Sequence, residues 1–528
     1  MMGKRSLWGW GYEEQAVDPL GLAPLLADFG FRVGDDPIPV VAADTVALAT
    51  ARLAAPGLDG IAVTDDRMAR LRHAHGRSFD DIVAGLRGDY RFAPDLVAFP
   101  EDEGQVLTLL QWCAGMGVAC VPFGGGTSVV GGVQCREGDS FNGVLSLDTT
   151  RMNRVLEVDE LSRAAHLQAG MLGPEVESAL RPYGLTLRHY PQSFEFSSVG
   201  GWLATRAGGH FATGPTHIDD FVESLSIVTP TGVDTTRRLP ASGAGPSPDR
   251  WYLGSEGTLG VITSAWLRLQ QLPVHKAEAS LTFASFEQAL GALRALTQSG
   301  LQPSNCRVLD AGESRLAGDA QDGGAALLLG FESAQLPVEP DMEAALAVLR
   351  DHAPLSVSGP AYRERGRQAR DASSGEWRRA FLSAPYLRDA LVRLGLIAET
   401  FETAVTWDGL ARLHAAVNAA VTATSEELGL HAVLLCRITH AYPDGLAPYF
   451  TVIAQGPGDV REDWAAVKQA VSAALISSGG TITHHHAVGR DHRGFYEEQR
   501  PDRFAAMFAA AKGSVDPAGV MNPGVLLR

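Results

Sequence analysis

Three glycines in a row, Gly124-Gly125-Gly126, are followed by Thr127 and Ser128 and preceded by Pro122 and Phe123. With no side chains on the turn, backbone N–H groups can converge on an anion, and the two hydroxyls add donors. The chemistry this suits is a diphosphate cradle. Two common phosphate loops are excluded. No lysine stands where a Walker loop needs one, and Val129 occupies the third glycine position of G-x-G-x-x-G. A glycine cluster alone is as often a plain turn, but two further stretches share its character. One is Pro191-Gln192-Ser193-Phe194-Glu195-Phe196-Ser197-Ser198-Val199-Gly200-Gly201, continuing through Ala204 and Thr205. The other is Gly254-Ser255-Glu256-Gly257-Thr258-Leu259-Gly260-Val261-Ile262-Thr263. Three such stretches within about 140 residues predict a large, flat, polar cofactor touched from several sides.

A second reactive grouping is His484-His485-His486. Histidine ligates metals and moves protons near neutral pH. Consecutive residues on a strand face opposite ways, so three in a row seldom hold one ion; on a loop that objection weakens.

The elements around these residues can be outlined. Gly117-Val118-Ala119-Cys120 reads as a buried strand feeding the glycines, after an acidic-ended helix from Glu101 to Met116. Leu20–Phe29 and Asp65–Leu86 carry helical spacing. Beyond Leu272 the texture changes to strands alternating with amphipathic helices, a second α+β domain on an antiparallel sheet. The expected division is a mainly helical module at 1–90, a cofactor domain at 91–272, a substrate-binding cap at 273–475, and a His-loop and helical segment at 476–528.

The 528 residues include 45% hydrophobic and 20% charged, ordinary for a globular chain. A net charge of −17 argues against nucleic-acid binding, which rewards a basic surface. The five cysteines show no CxxC pair or metal spacing and read as buried small residues in a reducing compartment. No apolar run of membrane-spanning length, no apolar signal core and no Ser-Lys-Leu ending are present. The expected setting is cytoplasmic.

Together, Pro122–Ser128, Ser197-Ser198-Val199-Gly200-Gly201, Gly254–Thr263 and Asn522-Pro523-Gly524 resemble the FAD-binding PCMH-type (vanillyl-alcohol-oxidase-like) flavoproteins. Within them the chain is most similar to the alkyldihydroxyacetonephosphate synthase branch. The residues carrying that likeness are Trp8-Gly9-Trp10-Gly11, Pro191–Ser197, Ala204-Thr205-Arg206-Ala207, Glu399-Thr400-Phe401-Glu402-Thr403 and His484–His486. The resemblance implies FAD, with its diphosphate on 122–128 and further contacts from 191–197, 204–207 and 256–262. Thr127 follows the glycines where covalent relatives place a histidine, so the FAD is expected to be non-covalent.

In that branch a fatty acid leaves acyl-dihydroxyacetone phosphate, a long-chain alcohol enters, and an ether forms with no net redox change. The family's active-site tyrosine matches Tyr449, its phosphate-site arginines match Arg307 and Arg388, and its histidines match His484, His485 and His486. The lipid substrates imply an apolar tunnel and peripheral contact with a membrane surface; family analogy adds a homodimer. The alternative is an FAD-dependent oxidoreductase of a 2-hydroxyacid or other alcohol. The D-2-hydroxyacid dehydrogenase branch carries metal-binding His-Gly-Asp-Gly-Asn-Leu-His and Gly-Glu-His-Gly segments. Here Tyr449 replaces the second histidine of the first and His485 the glutamate of the second, so no metal is expected.

Overall fold

The structure, a computed structural model, describes residues 3–316, 324–364 and 384–527. Asp102 caps the helix Glu103–Met116 by accepting the Gln105 amide at 2.8 Å, and Gly117 ends it in the left-handed region (φ 62°). A Cβ at that φ is strained, which is why glycine closes this helix. The chain then enters strand β3. The first sheet comprises β1 (Ala62–Thr64), β2 (Leu96–Phe99), β3 (Val118–Phe123) and β4 (Gly143–Asp148) in the order β1-β2-β4-β3. β2, β4 and β3 run parallel, β1 antiparallel. β3 is almost wholly buried, as parallel strands covered on both faces are, and it delivers Gly124 at its C-terminal end.

The second sheet uses β5 (Val155–Asp159), β6 (Ala164–Gln168), β8 (Val222–Thr229), β9 (Gly232–Thr235) and β10 (Val261–Arg268), ordered β5-β6-β10-β8-β9 and antiparallel; β7 (Leu185–Thr186) pairs with β11 (Gln270–Gln271) beside it. The helix Val199–Thr205 packs on this sheet through Val199, Trp202 and Leu203.

An eight-stranded antiparallel sheet follows, as the change of texture after Leu272 predicts. Its strands are β12 (His275–Phe283), β13 (Asn305–Leu309), β14 (Ala325–Ser333), β15 (Ser356–Glu364), β16 (Ile397–Glu402), β17 (Val405–Thr406), β18 (His431–Ala441) and β19 (Gly445–Gln455). They are ordered β15-β12-β14-β13-β18-β19-β16, with β17 on β19. The helices Phe286–Gln298, Glu339–Arg350, Leu410–Leu428 and Val460–Ser477 contribute apolar residues to the core formed with this sheet. The sheet's other face is left for a site.

Both chain ends return to the cofactor region. The C-terminal segment pairs along β3: Cys120 N donates to the Val520 carbonyl and Asn522 N to the Cys120 carbonyl, both at 2.8 Å. The helical spacing over 65–86 resolves into two helices, Arg67–Arg72 and Phe79–Leu86. Ser78 and Asp81 form a capping box that starts the second. Among the described residues, no helix is long and apolar enough to cross a membrane.

Candidate active site

The glycine turn is packed too tightly for any side chain. A Cβ on Gly125 would lie 1.6 Å from the Phe196 carbonyl oxygen, one on Gly124 2.2 Å from Ser198 Oγ, and Gly126 has φ 65°. The amides of Gly125 to Ser128 meet no protein acceptor among the described residues. Buried Asn522 Oδ1, beside the turn, is likewise unsatisfied. Converging amide donors on a side-chain-free turn fit a diphosphate, so the residues present suit a dinucleotide cofactor.

The three sequence stretches converge on one cleft, whose atom-free volume is about 2180 Å³ with its mouth included. Pro122 through Ser128, then Pro191, Gln192, Ser193, Ser197, Ser198, Gly200, Gly201, Ala204 and Thr205, and finally Glu256, Gly257, Gly260, Val261 and Ile262 all line it.

Thr258 and Leu259 do not. Thr258 donates its hydroxyl to the Ser255 carbonyl at 2.7 Å, and Leu259 packs with Val488, Phe508 and Val525. Chain direction alternates through this turn, so these two residues face the core. Several hydroxyls also have a different task from the donor role the sequence suggests. Ser197 Oγ accepts the Trp202 indole N–H at 2.7 Å, Ser198 Oγ accepts Gly201 N at 3.2 Å, and Thr205 Oγ1 donates to the Gly201 carbonyl at 2.8 Å. They hold the turn in shape.

The opposite wall is the open face of the cap sheet. Cys306 and Val308 belong to the apolar core while Arg307 between them lines the cleft, the alternation a strand imposes. Arg307 donates to the His210 carbonyl at 2.6 Å and contacts His210 Nδ1 at 3.1 Å. Burial, then the nearby Arg437 charge, lower it to about 9, still a cation at neutral pH. On β19, Tyr449, Thr451 and Ile453 point into the cleft, opposite Glu402, Thr400 and Ala398 of β16. Tyr449 is 4% exposed. Burial raises its phenol above the usual range, with Arg437 and a hydrogen bond from Thr400 opposing. Arg437 is held by both Glu313 oxygens, at 3.1 and 3.0 Å.

Arg388 sits on the helix 384–393 and also lines the cleft. Its guanidinium donates to Asp389 Oδ1 (3.2 and 3.0 Å) and to the Arg77 carbonyl (2.7 Å). Asp389 in turn accepts the Trp10 amide. Gly9 and Gly11 explain their own presence here: a Cβ on Gly9 would lie 2.6 Å from Asp389 Oδ2, and one on Gly11 1.8 Å from the Tyr386 hydroxyl. The Trp-Gly segment therefore clasps the helix that carries Arg388, and Trp10 reaches the cleft itself.

The histidine triplet forms a loop pinned by one buried carboxylate. Glu402 accepts the amides of His484, His485 (3.0 Å) and His486 (2.8 Å), and the Thr483 hydroxyl (2.6 Å). Burial opposes its charge, yet these donors and the adjacent rings hold it well below the usual carboxylate range. His485 and His486 line the cleft, while His484 turns away and places Nε2 2.8 Å from the Tyr442 hydroxyl. Loop geometry, which three consecutive histidines cannot reveal, makes this split. Burial lowers His484 and His485 to about 3 and His486 to about 4, so the rings are neutral at pH 7. Two triads, His440-His484-His485 and Glu402-His485-His486, have ligand atoms within 4.8 Å of one another. Glu402 already accepts from four donors, and His440 Nε2 donates to the Gly209 carbonyl at 3.0 Å.

Arg437, Thr400 and Asn522 were not foreseen as contributors to the wall. The alternation of Arg437 with Cys436 and Ile438 on β18 carried the same signal as that of Arg307. The asparagine of the Asn522-Pro523-Gly524 ending was visible only as a motif.

Comparisons with known proteins agree with this geometry. Residues 94–236 match the family model described as "FAD binding domain", and residues 272–526 that described as "FAD linked oxidases, C-terminal domain". Alkyldihydroxyacetonephosphate synthase of Dictyostelium discoideum is 29% identical over 490 residues, 88% of this chain and 78% of the relative. Glycolate oxidase subunit GlcD of Bacillus subtilis is 26% identical over 478 residues, 88% of this chain and 97% of the relative. A solved structure of alkyldihydroxyacetonephosphate synthase superposes with a TM-score of 0.81 at 25% identity, covering 98% of both chains. The side-chain-free cradle, the two-sheet cofactor domain and the antiparallel cap thus lead to one conclusion: the chain belongs to the PCMH-type FAD-binding flavoprotein family.

Proposed function

We propose that the protein is an FAD-dependent transferase of the alkyldihydroxyacetonephosphate synthase type, exchanging the acyl chain of acyl-dihydroxyacetone phosphate for a fatty alcohol. The observation that carries the reading is which side chains share one cleft: the diphosphate cradle, cationic Arg307 and Arg388, Tyr449 with His485 and His486, and apolar Leu391, Ala398 and Ile453. A strand rises about 3.3 Å per residue, so Ile453 lies about 13 Å beyond Tyr449. That combination suits a phosphate head, a reacting carbon and a long chain.

FAD, when bound, supplies a redox-active ring system at the reacting carbon. The residues of this chain do the rest. Arg307 and Arg388 hold the phosphate, the cap sheet excludes water, and Tyr449 with His485 exchanges protons with the departing and entering oxygens. The FAD is held non-covalently, no metal takes part, and the protein works in the cytoplasm at a membrane surface, as a homodimer.

The test is product analysis on purified, FAD-loaded protein given acyl-dihydroxyacetone phosphate and a long-chain alcohol. Equimolar ether lipid and free fatty acid, with chelator present and FAD released on acid precipitation, support the proposal. Bleaching of the flavin by a 2-hydroxyacid, with no ether formed, would overturn it in favour of the oxidoreductase.

A further inference from the structure

The proposed exchange has a proton balance that a closed cleft must satisfy. Acyl-dihydroxyacetone phosphate and an alcohol give the ether and a fatty acid: the alkoxy C–O bond forms and the acyloxy C–O bond breaks. The alcohol loses its proton, and the departing carboxylic acid is ionised at neutral pH, since carboxyl groups titrate near ~4. One proton per turnover must therefore reach solvent. Tyr449, His485 and His486, the groups at the reacting end, are all buried or half-buried.

A continuous line of polar atoms leaves this end. His485 Nδ1 lies 3.3 Å from His484 Nδ1. His484 Nε2 lies 2.8 Å from the Tyr442 hydroxyl, which lies 3.3 Å from Thr216 Oγ1. Thr216 Oγ1 is 3.2 Å from His217 Nδ1. His217 is half-buried and borders exposed Gly214, Pro215 and Asp220. From this we infer that His484, Tyr442, Thr216 and His217 form a proton relay from His485, in the cleft, to solvent.

The direction of every bond follows from the outer end. His217 Nε2 faces the His484 carbonyl oxygen at 2.9 Å. A carbonyl only accepts, so Nε2 carries the hydrogen and neutral His217 accepts at Nδ1. Thr216 then donates to His217 and accepts from Tyr442. Tyr442 accepts from His484 Nε2–H, which leaves His484 Nδ1 to accept from His485 Nδ1–H. The inner end agrees independently: Glu402 lies 3.7 Å from His485 Nδ1, favouring a hydrogen on that nitrogen. All four bonds point outward, and His485 Nε2 is left for the cleft. A proton arriving there displaces the next along the line, and the last arrives on His217, beside Asp220, whose carboxylate already accepts the Thr216 and His217 amides at 3.1 and 3.4 Å. Burial raises the Tyr442 phenol to about 12 and lowers His484 and His485 to about 3, so these links hold no charge between turnovers.

The inference rests on the transferase reading, and one experiment separates the two. Wild-type protein that forms no ether retires that reading before any variant is compared. With ether formation in hand, Tyr442→Phe, Thr216→Val and the double variant are assayed in H₂O and D₂O, with FAD content and KM measured alongside. The relay predicts that each single variant lowers kcat about 10- to 100-fold and enlarges the solvent isotope effect, at unchanged KM and FAD content. The double variant should lose no more than either single one, because both break the same series. Imidazole in the buffer should restore much of the rate to His217→Ala. Wild-type kcat and isotope effect in Tyr442→Phe, or losses that multiply in the double variant, would overturn the relay.

Discussion

The Arg437 guanidinium lies 3.9 Å from the centre of the Tyr449 ring, directly across the β18–β19 register, while Glu313 neutralises it from behind. A cation over the ring face steadies the aromatic side chain, and burial outweighs its pull on the phenol proton. Tyr449 therefore enters the reaction protonated. Tyr449→Phe is expected to lower ether formation by about 100-fold or more with FAD retained, read as product yield against flavin absorbance. Arg437→Lys keeps the charge but loses the planar fork; an intermediate loss of kcat is expected.

Gly125→Ala drives a Cβ to within 1.6 Å of the Phe196 carbonyl. The purified variant should be folded and colourless, with FAD affinity reduced about 100-fold or more, equivalent to roughly 3 kcal/mol. Gly115→Ala, in an open helical position with nothing within 4 Å, is the control and should bind FAD normally with a slightly higher Tm. Titration by flavin fluorescence quenching reads both.

Asp389 links the Trp10 amide to Arg388. Asp389→Ala should raise KM for the phosphorylated substrate about 10-fold or more while kcat changes little, since the guanidinium loses its anchor rather than the reaction a proton carrier. Asp389→Asn keeps one oxygen acceptor, for either Arg388 or the Trp10 amide, and should recover part of the loss. Equal KM values in all three proteins would exclude this positioning role.

Burial raises Glu256 to about 7, against the pull of the Val488 and Gly489 amides. A carboxyl whose folded pKa lies above its unfolded value near ~4.3 binds its proton more tightly in the folded state. Its contribution is fully present below the unfolded pKa and is lost as pH rises through 7. At pH 9 the loss amounts to roughly 4 kcal/mol. In the FAD-free protein, Glu256→Gln should thus gain Tm relative to wild type between pH 6 and pH 9; a constant gap would contradict the raised pKa.

Acid should act through the histidine loop with the opposite sign. His484, His485 and His486 sit at about 3, 3 and 4 in the folded chain, below the unfolded value near ~6.5. Their contribution is complete above pH ~6.5 and falls as pH drops toward 4, because the unfolded chain binds the extra protons. Tm followed from pH 7 to pH 4.5 should fall less steeply in His484→Asn than in wild type.

What the sequence determined by itself was chemistry that depends on local spacing. Three glycines exclude side chains wherever the turn is placed, and Arg307 between Cys306 and Val308 must face away from the core once the segment is a strand. A large polar cofactor and the cap sheet followed from such local rules, while the cofactor's identity as FAD came from the family resemblance. Tertiary structure alone decided what needs distant residues to meet. Glu402, 82 residues before the triplet, splits it by pinning three amides, sending His485 and His486 to the cleft and His484 to Tyr442. Thr258 and Leu259 share a motif with Gly257 and Gly260, yet face the core because the path of the turn sets their direction. Trp10 and Arg388 lie 378 positions apart and share one carboxylate. Residue type and spacing specify which groups a segment offers; only packing fixes which way each points and what it meets.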